Sequence, residues 1–149
     1  MDKGIYCLIL ENDACIIPIG SLGEVPFQRG WHVYAGSALG PGGLSRVRRH
    51  LQLSARKRPA PHWHIDHLLV SPHFWIQYTV CAPTTLRLEC RLAAAIGGDS
   101  IGGFGASDCS CRSHLFYRSC DPRQEVECAF RELDLPCTSK RIKESAGQG

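Results

Sequence analysis

Between Trp31 and Leu51 the chain reads WHVYAGSALGPGGLSRVRRHL, and this stretch carries the side chains best suited to chemistry on a phosphate. An apolar, β-prone run ends at Tyr34-Ala35-Gly36, four glycines fall between Gly36 and Gly43, and an amphipathic segment follows with Arg46, Arg48, Arg49 and His50. Strand, tight loop and basic helix in that order put a phenol at a strand end and guanidinium groups on the next helix. Planar guanidinium groups match two oxygens of one phosphate, so the two kinds of side chain can act on a single group.

The wider charge pattern agrees. A formal net charge of +3 decides nothing by itself, but no Asp or Glu lies between Val25 and Ile65, where Arg29, Arg46, Arg48, Arg49, Arg56, Lys57 and Arg58 all fall. Such a half faces a polyanion, or is a solvated helix face. At 149 residues and 44% hydrophobic content the chain is long enough for one domain with a real core. No apolar run reaches the roughly 20 residues of a membrane span, and MDKGIYCLIL lacks the pattern of an export signal, so a cytoplasmic protein is expected. Nine cysteines of irregular spacing, without an export signal, read mostly as buried free thiols.

The elements that must position these groups follow from periodicity. Gly4 to Leu10 reads as a buried strand, and Cys15 to Ile19 as its hairpin partner across Glu11-Asn12-Asp13. A loop from Gly20 to Gly30 leads to a strand at Trp31 to Ala35. From Gly43 a helix is predicted, with Leu44, Val47 and Leu51 as its apolar stripe. HWHIDHLLV is a strand with His62, His64 and Asp66 on one face, or a short helix pairing His62 with Asp66; the helix is preferred. Phe74 to Cys81 reads as a strand. Pro83-Thr84-Thr85 opens a helix through Ile96, stopped by Gly97-Gly98, with Leu88, Leu92 and Ile96 buried and Glu89 beside them as a rim residue or a ligand. Pro122 to Leu133 is a further helix, and TSKRIKESAGQG a solvated tail. Asp108, Cys109, Cys111 and His114 are metal-ligand types within seven residues, yet no second CxxC or HxxxH half accompanies them. A zinc site at Cys109, Cys111 and His114 competes there with local packing.

Gly4-Ile5-Tyr6, Tyr34-Ala35-Gly36, an arginine on the next helix and Glu89 on a later one together resemble the GIY-YIG nuclease superfamily. The strings YAGSALGPGGLSRVRRHL, HWHIDHLL, LECRLAAAI and GFGASDCSCRSHLFY look more specifically like its DUF123 branch, over roughly residues 4 to 117. The resemblance implies an α/β (α+β) domain, placed at residues 1–118, with a small central antiparallel or mixed sheet flanked by helices; it leaves outside it residues 119–149, read as a C-terminal helix and flexible tail. It implies metal-dependent hydrolysis of phosphodiesters in DNA or structured nucleic acid with Mg²⁺ or Mn²⁺, and association with DNA-repair enzymes. A module of the same fold that binds nucleic acid without cleaving it is the alternative.

Residue by residue, the resemblance makes Tyr6 and Tyr34 the two motif tyrosines, Arg46 the arginine, with Arg49 as the substitute, and Glu89 the metal-binding glutamate. The family's usual asparagine has no clear match; Ser107 or Asp108 falls nearest. Glu89 would hold the cation, Arg46 would neutralise phosphate charge, and Tyr6 would orient or deprotonate water. A phenol is a poor base at neutral pH, so His50 or His64 is an alternative base. Arg48, Arg49, His50, Arg56, Lys57 and Arg58 are the expected nucleic-acid contacts. Against these roles stand strand packing for the tyrosines and core packing for His62, His64 and His67.

Overall fold

A computed structural model describes residues 2–58, 61, 63–105 and 113–142. Its centre is strand β1 (Gly4–Asn12), whose neighbours on both edges are antiparallel: β4 (Gly30–Ala38) on one side and β5 (Phe74–Pro83) on the other. Strand β6 (Leu115–Arg118) extends the sheet beyond β4, and β7 (Thr138–Arg141) extends it beyond β5, giving the order β6-β4-β1-β5-β7. The fold is of the α+β class.

Alternation along β1 divides the core. Tyr6, Leu8 and Leu10 point to the face covered by helices α1 (Ser45–Arg56) and α2 (His64–Leu69). Ile5, Cys7 and Ile9 point to the other face, covered by α3 (Glu89–Ile96) and α4 (Arg123–Glu132). A strand buried on both faces explains why β1 reads as a continuous apolar run.

The expected hairpin between Gly4–Leu10 and Cys15–Ile19 does not form, because both edges of β1 are already taken. Strand β2 (Cys15–Pro18) pairs instead with β3 (Glu24–Phe27), a strand inside the predicted loop, to make a separate two-stranded sheet. Helix α3 starts at Glu89 rather than at the Pro83–Thr85 signal, since Pro83 closes β5 against Gly4. Leu92, Ala93 and Ile96 are its buried residues, with Leu88 packed at their edge. Helix α1 buries Val47, His50, Leu53 and Ser54, so the stripe is turned slightly from Leu44 and Leu51, which pack at its margin. The tail prediction also needs correction: Thr138–Arg141 is the edge strand β7, paired with Tyr78–Cys81. Among the described residues six cysteines are free but Cys7 alone of these is buried, and Cys90 is disulfide-bonded. No described helix is long and apolar enough to cross a membrane.

Candidate nucleic-acid site on the α1 and α2 face

Antiparallel register places Tyr6 directly opposite Gly36 and Leu8 opposite Tyr34, so the two phenols are diagonal neighbours on one face. Their ring centroids lie 6.4 Å apart. Gly36 is what lets the Tyr6 ring lie across β4: a Cβ there would stand 2.5 Å from Tyr6 Cζ and 2.6 Å from its oxygen. The glycine of Tyr34-Ala35-Gly36 is thus a steric requirement of the first tyrosine.

Helix α1 supplies the rest from two faces. His50 points inward, and its Nε2 lies 2.8 Å from the Tyr6 oxygen. Both groups are buried. Burial pushes the Tyr6 phenol well above its ordinary value, Tyr34 adds to the rise, and the Arg46 guanidinium opposes it. Burial likewise lifts Tyr34 to about 12 and lowers His50 to about 4. At neutral pH the pair is therefore uncharged. His50, expected among the nucleic-acid contacts, is instead an internal partner of Tyr6 because it falls on the buried stripe of α1.

Arg46 and Arg49 sit at the rim. Arg46 Nη1 donates to the Ser37 carbonyl at 2.7 Å, and among the described residues it has no carboxylate partner. Arg49 reaches Asp66 through two N–H groups, at 3.4 Å and 3.2 Å. Both guanidinium groups also lie against Trp63, 4.9 Å and 4.7 Å from its ring. Asp66 is fully buried, and its second oxygen also accepts the Trp63 backbone N–H at 3.0 Å. This settles the strand-or-helix choice for HWHIDHLLV in favour of the helix: Asp66 caps its start. The expected His62 to Asp66 pair lies outside the described residues, as do Ser107, Asp108, Cys109 and Cys111.

Other expected contacts fall in several places. Arg48, Arg56 and Arg58 are exposed on or just after α1. Lys57 is committed to the fold: its ammonium donates to the carbonyls of Leu69 at 3.1 Å and Phe74 at 2.9 Å, bracing the end of α1 against α2 and β5. His64 Nδ1 accepts the Gly105 N–H at 2.9 Å, which leaves the proton of the neutral ring on Nε2, and burial lowers its pKa.

Glu89 opens α3, and its Oε2 is buried without a hydrogen-bond partner among the described residues. An unpaired buried carboxylate oxygen is costly and calls for a cation or donor. Its electrostatic neighbour is His114, whose pKa is lowered by burial and raised in part by Glu89. His114 Nε2 lies 3.8 Å from Cys90 Sγ. A Cβ at Gly105 would stand 3.2 Å from Tyr34 and 3.4 Å from His114, whereas Glu89 opens α3, the helix that covers the sheet face opposite Tyr6, His50 and Arg46. Among the described residues no group of three His, Cys, Asp or Glu surrounds a metal position. One carboxylate with water filling the other positions is, however, a usual way to hold Mg²⁺.

The low pKa of His50 has a consequence for stability. His32, buried and hydrogen-bonded to Asn12 at 2.8 Å, is also lowered to about 4 by burial. Unfolded, both rings protonate near 6.5, so between pH 6.5 and 4 the unfolded chain binds the extra protons and stability falls as pH falls. The full effect is roughly 3 kcal/mol for each ring. Denaturant unfolding at pH 7 and at pH 4.5 should show a clear loss at the lower value; equal midpoints would contradict the buried neutral imidazoles.

No curated protein and no solved structure matches the chain. The family model described as "Domain of unknown function DUF123" matches residues 5–135. That span runs from β1, which carries Tyr6, through α4, and it includes Tyr34, Arg46, Trp63, Asp66 and Glu89: the chain belongs to the DUF123 family.

Proposed function

We propose that this protein hydrolyses phosphodiester bonds in nucleic acid, DNA in the first place, as a GIY-YIG-type nuclease using one divalent cation, and that it works in the cytoplasm alongside DNA-repair enzymes. The observation that carries the reading is the Tyr6 and His50 pair, 2.8 Å apart beneath a guanidinium with no carboxylate partner among the described residues. Arg46 would bind a phosphate oxygen pair and offset the charge that develops in the transition state. Water losing its proton to the Tyr6 oxygen would let the phenol pass its own proton to His50 Nε2, so that no free phenolate forms. A bound phosphate raises the affinity of His50 for that proton.

Glu89, with its unpaired buried oxygen, is the residue that would hold Mg²⁺ or Mn²⁺. Such an ion, when bound, neutralises charge on the scissile phosphate and the leaving oxygen. A second reading, a module that binds without cutting, draws on the 1% exposure of Tyr6, which limits access of water to the phenol. Incubation of the protein with end-labelled single-stranded and duplex oligonucleotides in Mn²⁺ or Mg²⁺ separates the two. Shorter products that vanish with a chelator support the nuclease; bound but intact oligonucleotide supports the module.

A further inference from the structure

We infer that Trp63 is a stacking platform for an unpaired nucleobase, so that the preferred substrate exposes single-stranded bases; this rests on the nucleic-acid reading above. Among the described residues Trp63 is one of three large apolar residues left exposed, at 39% of its surface. It is nevertheless held in place by several contacts. Its backbone N–H is fixed by the buried Asp66 carboxylate, its ring meets the His50 ring edge-on at 6.4 Å, and the guanidinium groups of Arg46 and Arg49 lie within 5 Å of its centroid. Arg49 is itself fixed by the same Asp66.

A rigid, partly exposed indole with two guanidinium groups of α1 against its ring suits a ligand that is planar and carries negative charge nearby. A nucleotide in a single strand has both features, a π-face for the indole and a phosphate for the guanidinium groups. In a continuous duplex the base faces are hidden in the stack, so only the phosphate part of the contact remains. The platform is also adjacent to the proposed proton acceptor, because His50 touches both Trp63 and Tyr6. Stacking would therefore bring an unpaired nucleotide beside the Tyr6 and His50 pair.

The test measures affinity by fluorescence anisotropy, in the presence of a chelator so that nothing is cut, for labelled oligothymidylate and for a blunt duplex of equal length. The wild-type protein is expected to bind the single strand more tightly. Trp63→Ala should weaken single-strand binding about tenfold or more with duplex affinity nearly unchanged, which also shows that the variant is folded; Trp63→Phe should keep most of the single-strand affinity. Equal losses on both ligands, or no loss on either, would overturn the platform while leaving the nuclease proposal standing. Failure of the wild-type protein to bind either nucleic acid would overturn both.

Discussion

Replacing Tyr6 by phenylalanine is expected to lower the rate of phosphodiester cleavage by about 10²- to 10⁴-fold, the usual contribution of a positioned proton acceptor. The ring would still fill its place over Gly36, so only the hydroxyl is removed. Without it the His50 Nε2 loses its partner, and Nδ1 has none among the described residues. A fully buried imidazole without hydrogen bonds costs about 1–3 kcal/mol, against roughly 5–15 kcal/mol for a typical domain. The variant should therefore fold, bind oligonucleotide with wild-type affinity and cleave it slowly. Single-turnover kinetics at saturating protein reads this split. Unchanged cleavage would remove Tyr6 from the chemistry, and weakened binding would make its role structural.

Gly36→Ala should have a similar effect on cleavage by a different physical route. The added methyl meets the Tyr6 ring at 2.5–2.9 Å over three atoms, and the ring, 1% exposed, is packed too tightly to withdraw without moving its neighbours. Overpacking of this kind costs about 1–3 kcal/mol, and it shifts the phenol away from His50. Gly40→Ala is the control, because a Cβ there meets nothing within 4 Å. Thermal unfolding and cleavage should both suffer in the Gly36 variant and neither in the Gly40 variant. Equal behaviour of the two would mean that Gly36 does not set the position of Tyr6.

Buried central strands announce themselves: Gly4 to Leu10 and Trp31 to Ala35 are apolar because helices cover both faces of the sheet. HWHIDHLLV forms a helix, as its pattern predicts, and the stop at Gly97 follows from its positive φ of 57°. Strand β7 was invisible because TSKR is polar and sits at an edge, held by backbone pairing to β5 rather than by burial. The pairing of β2 with β3 rather than with β1 is not legible for a related reason, since a strand pattern reveals pairing capacity but not which edge is vacant.

At the site, residue types were legible and partnerships were not. The Tyr6 and His50 bond joins residues 44 apart, and its only trace in the sequence is that His50 falls three residues after Val47 and three before Leu53 on the buried stripe of α1. The sequence offers Asp66 as a partner for His62, which lies outside the described residues; the burial of Asp66 beneath Arg49 and Trp63 depends on how α1 and α2 pack. Lys57 looked like one more cation of a basic run. Its left-handed backbone, φ 58°, at the end of α1 turns the chain and sends the ammonium to two carbonyls.

The central claim is that Glu89 and the tyrosine and histidine pair form one cleaving centre, and it is tested most directly by measuring cleavage and binding of one end-labelled oligonucleotide, in Mn²⁺, for the wild-type protein and Glu89→Gln. Glutamine keeps the size of the side chain and removes the charge a cation needs. The account predicts that wild-type protein yields products and that Glu89→Gln binds the oligonucleotide equally well in the metal-free state yet yields at most a hundredth as much. Equal cleavage by both would contradict the role of Glu89, and binding without products in either would leave a nucleic-acid-binding module in place of the nuclease.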